Sequence, residues 1–202
     1  GDQEADVKAA RNGRRWAAPC AVAAIAGAML AIPATGLAGV PAVQDDQMTI
    51  AAPIEAVPSR VQAVIATRAK VARFDILWSE VAPTRPARPA NPNDPAYNWE
   101  RADLVINAFY RARITPIISV YSTPAWAVQG RNLPVATQYN PNAPRAKDFG
   151  QFMRAVATRY RGKARHFEVW NEGNLKGFFS LNGRSNLPHY KKLVKAAYPQ
   201  IK

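Results

Sequence analysis

Near the C-terminus stands Val169-Trp170-Asn171-Glu172-Gly173-Asn174, directly after the short run His166-Phe167-Glu168-Val169. A tryptophan, an amide and a carboxylic acid therefore meet at the end of an expected strand. A carboxyl group placed there can act as a general acid toward a departing oxygen if it keeps its proton at working pH, which an apolar neighbour favours. The arrangement suits an acid that meets a sugar at the mouth of a barrel. The plainer alternative for Glu172 is a solvated loop carboxylate, and the flanking Trp170 and Asn171 weigh against it.

Other charged residues fall on strand-like alternations. In VARFDIL, residues 71–77, Arg73 and Asp75 share one face and Phe74 and Ile76 the other. In the run around Glu168, strict alternation puts His166, Glu168, Trp170 and Glu172 on one face, with Phe167, Val169 and Asn171 opposite. Buried parallel strands normally read as continuous apolar runs, so a polar face is unusual. Arg73 is expected to meet Glu168 or Glu172 inside the fold, and Glu168 is read as its buried structural partner. Tyr121 and Trp126 follow another apolar run and can line a sugar subsite, while Trp126 can equally plug the core. His166 and His189 are isolated and no Cys/His/Asp cluster has ligand spacing, so neither metal nor cofactor is expected.

These residues sit in a repeating pattern. Gln47–Ala51 reads as a weak first strand and a helix follows from about Pro58, with Val61, Val64 and Ile65 on one face. Val71–Leu77 is a second strand, a Pro/Asn/Asp-rich loop runs over 82–98, and a helix spans about Trp99–Arg113. Thr115–Tyr121 is a third strand, followed by a loop over 122–145 and a helix over Ala146–Arg161. Ala164–Asn171 is a fourth strand, and Asn186 with Pro188 opens a last helix. Strand–helix units in series imply parallel strands joined by right-handed crossovers. The long loops follow strands, where α/β proteins build their sites. A doubly wound sheet and a (β/α)8 barrel both fit. The lack of a glycine-rich turn after the first strand favours the barrel, although a barrel takes about 250 residues.

The chain has 202 residues and a net charge of +13. Its Lys and Arg are scattered, without a basic run interleaved with aromatics, so nucleic-acid binding is not expected. Residues 1–42 read as an export segment: Arg11, Arg14 and Arg15 precede an apolar, alanine-rich run over 17–32. Gly36-Leu37-Ala38 or Val40-Pro41-Ala42 offers a cleavage site, and an uncleaved membrane anchor is the alternative. Cys20, the sole cysteine, would leave with this segment. The globular part is then 43–202, secreted or anchored through residues 17–32.

Three segments, RFDILWSEVAP, PIISVYSTPAWA and FEVWNEGNLKGFF, followed by HYKKLVKAAYPQIK, resemble in order and spacing the N-terminal half of a clan A glycoside hydrolase, family-39-like or cellulase-like (family 5). The resemblance implies an α/β TIM barrel, here about the first four β/α units, acting on a polysaccharide or glycoside. It implies Glu172 as acid/base, Asn171 on the sugar 2-hydroxyl and Arg73 as organiser of the carboxylates. Such enzymes are retaining, with a nucleophile carboxylate about 5–5.5 Å from the first. The family carries that nucleophile at the end of the seventh strand, beyond residue 202, so the chain alone is expected to be inactive. Gly173 stands where the family usually has proline, which should loosen the turn. The competing expectation is a non-catalytic carbohydrate-binding or cell-surface protein on the same scaffold.

Overall fold

A computed structural model describes residues 39–46, 48, 52–135 and 139–202. Of the export segment expected over residues 1–42, residues 1–38, with Arg11, Arg14, Arg15, the apolar run and Cys20, lie outside them, and so does most of the strand expected over 47–51. The first strand, β1, is instead the short Ala42–Gln44. Three residues are too few to show alternation, so the longer β-branched run nearby had the stronger strand signal.

The other elements fall close to their expected places, except the single-turn α2, which was not expected. They are α1 (Val57–Ala66), β2 (Val71–Leu77), a single-turn α2 (Trp78–Val81), α3 (Glu100–Arg111), β3 (Thr115–Tyr121), α4 (Ala146–Arg159), β4 (His166–Val169) and α5 (Leu187–Ile201). Pro58 sits in the first turn of α1, where its missing N–H costs nothing. Asn186 caps α5 by accepting from the His189 amide at 2.9 Å.

The four strands are parallel and ordered β1-β2-β3-β4. A doubly wound sheet reverses its strand order at a switch point. Here each strand adds beside its predecessor, so right-handed crossovers put the connecting helices on one face. This is the arrangement of a barrel segment. The helix-covered face carries Phe74, Ile76, Ile118 and Val120, all nearly inaccessible to solvent. Aromatics fill the layer beneath the helices: Phe152 stacks on Trp78 at 5.1 Å and on Trp99 at 5.8 Å between ring centroids. Each such pair adds roughly 0.5–1.5 kcal/mol beyond its buried area. α4 and α5 approach closely at Gly150, where a Cβ would lie 2.7 Å from the Ala196 carbonyl oxygen.

Candidate functional site

The opposite face of the sheet is polar, and one residue organises it. The Arg73 guanidinium donates from Nε to Glu168 at 2.8 Å and from Nη1 to Asp75 at 2.7 Å. Nη2 donates to Ser119 Oγ at 2.9 Å and to Asn171 Oδ1 at 3.0 Å. The pairing register explains the meeting. Arg73 lies beside Ile117, which lies beside His166, so Ser119 and Glu168 stand one pleat further along the same face. The expected Arg73–Glu168 pair is present. Glu168 is nonetheless half-open to solvent, its side chain 42% exposed against 3% for Asp75.

Asp75 is the buried acid. Desolvation raises it from 3.8 to about 6, against the pull of the Arg73 guanidinium, with Asp46 and Glu168 adding repulsion and the Tyr121 hydroxyl opposing them. Tyr121 donates to Asp75 Oδ2 at 3.4 Å, and burial pushes its own phenol well above the usual range.

Beyond Val169 the strand geometry stops, and this corrects the expected faces. Trp170 has φ +72° and Glu172 φ +46°, left-handed conformations that are costly for residues with a Cβ. The turn at Trp170 reverses the alternation. Asn171, expected opposite Glu168, joins it on Arg73. Trp170, expected beside Glu168, turns toward the helices, where it packs edge-on against Phe149 at 5.5 Å and Phe179 at 5.4 Å. Its indole donates to the Phe178 carbonyl at 2.8 Å, and the residue is 4% exposed. Glu172 comes next at the strand's C-terminal end, exposed, with its carbonyl closing a turn to the Leu175 amide at 2.8 Å.

Gly173 is tight rather than loose. A Cβ there would lie 2.6 Å from the Tyr190 ring, whose hydroxyl donates to the Val169 carbonyl at 3.0 Å. The tyrosine braces the turn carrying Glu172 from the α5 side, so glycine is required for contact where proline would supply stiffness.

Trp126 lies apart from the Arg73 group. Its indole donates to the Ala82 carbonyl at 2.8 Å, its ring meets Trp78 edge-on at 5.4 Å, and Arg85 sits over it at 5.6 Å. Of the two readings open for it, these contacts are those of a plug. The aromatic wall near the polar group is a different one: Tyr121, Tyr139 and Phe178, with Tyr139 stacked on Phe178 at 4.7 Å. Tyr139 and Phe178 come from separate loops, and no local spacing could have paired them. Ser119 was likewise missed, because a serine inside an apolar strand carries no signal without its neighbour's register. Among the described residues no group of His, Cys, Asp and Glu is gathered in a way that could hold a metal ion.

The fold recurs in solved structures. A monomeric β-xylosidase from Caulobacter crescentus CB15 matches with a TM-score of 0.60 at 17% identity, over 80% of this chain and 33% of its own. A GH39 enzyme from Xanthomonas axonopodis pv. citri matches at 0.58 and 19%, over 80% and 32%. A family 39 glycoside hydrolase from Bacteroides cellulosilyticus WH2 matches at 0.50 and 19%, over 81% and 29%. The chain thus spans about a third of the length of these structures, and it has the truncated TIM-barrel fold of their glycosidase domains. No protein-family model and no curated protein matches the sequence.

Proposed function

We propose that this chain is the N-terminal part of a secreted family-39-type glycoside hydrolase that cleaves O-glycosyl bonds with retention. The observation that carries this reading is the hydrogen bond from Arg73 to Asn171. It ties the residue next to Glu172 to the cation of the inner face, setting amide and acid at the C-terminal rim, where barrels do their chemistry. Glu172 protonates the departing oxygen and later activates water. Asn171 holds the sugar 2-hydroxyl, and Arg73 holds Glu168 and Asp75 in place. Tyr139 and Phe178, partly exposed beside the buried Tyr121, offer ring faces for a sugar, a role for which Trp126 and Trp170 are less well placed. The nucleophile comes from residues after 202. Export uses the run over 17–32. Where the segment is removed rather than kept as an anchor, cleavage after Ala38 suits the fold better than cleavage after Ala42, because Ala42 pairs with Val71 in the sheet and the Pro41 carbonyl accepts from the Lys70 amide.

The test is turnover of aryl glycosides by the 202-residue chain and by the product of the longer reading frame. The short chain is expected to be inactive and the longer one active. Glu172→Gln in the longer product should lower kcat by about 10²–10⁴-fold, the usual worth of a general acid–base group. Glu172→Ala should be rescued by azide on substrates with activated leaving groups. Unchanged turnover in Glu172→Gln would refute the assignment.

A further inference from the structure

The cations scattered along the sequence gather at the end of the sheet opposite Glu172. α1, α3 and α4 each return to the next strand through a short turn, and all three turns are basic. The turn into β2 carries Arg68 and Lys70. The end of α3 and the turn into β3 carry Arg111 and Arg113. The turn into β4 carries Arg161, Lys163 and Arg165. No carboxylate occurs over residues 56–74, 104–147 or 149–167, which hold all three turns. Among the described residues none of these seven cations joins an ion pair with a carboxylate, and six of the seven are exposed. Lys163, partly buried, donates to Asn107 at 2.6 Å.

The turns form one surface. The Thr115 amide donates to the Lys70 carbonyl at 2.8 Å, and a single recess is bordered by Arg113, Lys163, Arg165 and His166. Part of this charge has a local use, since helix C-termini favour cations. That does not account for Lys70 and Arg165, which lie at the strand entries. Nor does it account for Arg68 and Arg113 holding left-handed positions, φ +59° and +58°, just past helix ends. Glycine is the favoured residue there, and it is what the third turn uses at Gly162, φ +80°.

We propose that this basic face docks on an anionic lipid surface, which would point the Glu172 rim away from the membrane. Lipid is favoured over nucleic acid on two grounds. The chain enters the sheet at this face, through Pro41 beside Lys70. In the form that keeps the export segment as an anchor, the apolar run ending at residue 32 lies only nine residues upstream of Pro41, at most about 32 Å of extended chain. Bases, by contrast, need stacking platforms, and the recess offers only the Tyr110 ring and the His166 imidazole.

The proposal is independent of the glycosidase reading, and its test uses no turnover. The full chain is titrated with phosphatidylcholine vesicles, with and without phosphatidylglycerol, from low to high salt. Capture by the apolar segment is common to both lipids, so the readout is the advantage of the anionic ones. That advantage is expected to be large at low salt and to fade as salt rises. Combining Arg68→Gln, Lys70→Gln, Arg113→Gln and Arg165→Gln should reduce it by up to about 600-fold, at roughly five-fold per cation. Replacing Arg11, Arg14 and Arg15 with Gln should leave most of it. If the fourfold variant does not melt cooperatively, the Arg68→Gln/Lys70→Gln pair is read instead. Equal binding to both lipids, an advantage that survives the turn substitutions, or one abolished by the Arg11, Arg14 and Arg15 changes alone overturns the proposal. Tighter binding to duplex DNA than to anionic vesicles at the same salt overturns it in favour of a nucleic-acid partner.

Discussion

The two ends of the sheet use the same backbone device for opposite purposes. At the strand C-terminal ends, Ser122 (φ +68°) and Trp170 (φ +72°) turn the chain and re-aim the side chains of the loops they begin. Ser122 then locks the loops together. Its carbonyl accepts from the Ser79 amide at 2.9 Å, its hydroxyl meets that of Ser79 at 2.7 Å, and its Oγ accepts from the Asn140 amide at 2.8 Å. At the N-terminal ends, Arg68 and Arg113 adopt the same conformation where a helix stops, with their side chains free in solvent. The lesson is that a left-handed residue specifies geometry where other side chains are fastened around it. Where solvent surrounds it, it is a replaceable cap.

The sharpest way to break the fastened end is Arg73→Met. The substitution leaves Asp75 buried without its cation, and losing one partner of a buried pair costs about 3–5 kcal/mol. Urea unfolding at neutral pH should show that loss, and it should shrink in acid, where Asp75 takes up a proton. A loss below about 1 kcal/mol would mean that Arg73 does not organise this face.

A smaller effect comes from Asp75 itself. Its folded value of about 6 lies above its ordinary 3.8, so between those values the folded protein binds more protons than the unfolded chain. Its contribution is therefore fully present below about pH 4 and is lost as pH rises toward 6, at no more than about 1.4 kcal/mol per pH unit. Thermal melts across that window should show the decline, and Asp75→Asn should flatten it.

The least effect belongs at the other end. Arg113→Gly relieves a left-handed position in solvent and should change stability by less than about 1 kcal/mol, in the stabilising direction. A clear destabilisation would show that the basic turns are as tightly fastened as the site.

Much of the fold was legible because it is local. β2 and β3 fall on the residues their β-branched runs marked out, and the stripe of α3, with Ala102, Val105, Ile106 and Phe109, is the buried one. β1 at Ala42–Gln44 was not foreseen, because three residues carry no period. At the site, Arg73 and Glu168 could be paired by alternation within regular strands. Trp170 and Asn171 could not be assigned to faces, because alternation holds only while φ stays extended, and it does not past Val169.

The sequence by itself determined that strands and helices alternate, that one strand face carries charge, and that an amide and an acid adjoin at position 171. Periodicity and chemical type are properties of neighbours in the chain, so they survive without a fold. Only the tertiary structure decided that Asn171 rather than Trp170 meets Arg73, that Tyr139 and Phe178 stack, and that cations many residues apart form one face. Each of these depends on strand register and on the direction of a turn. Both are set by packing between segments that no local spacing relates.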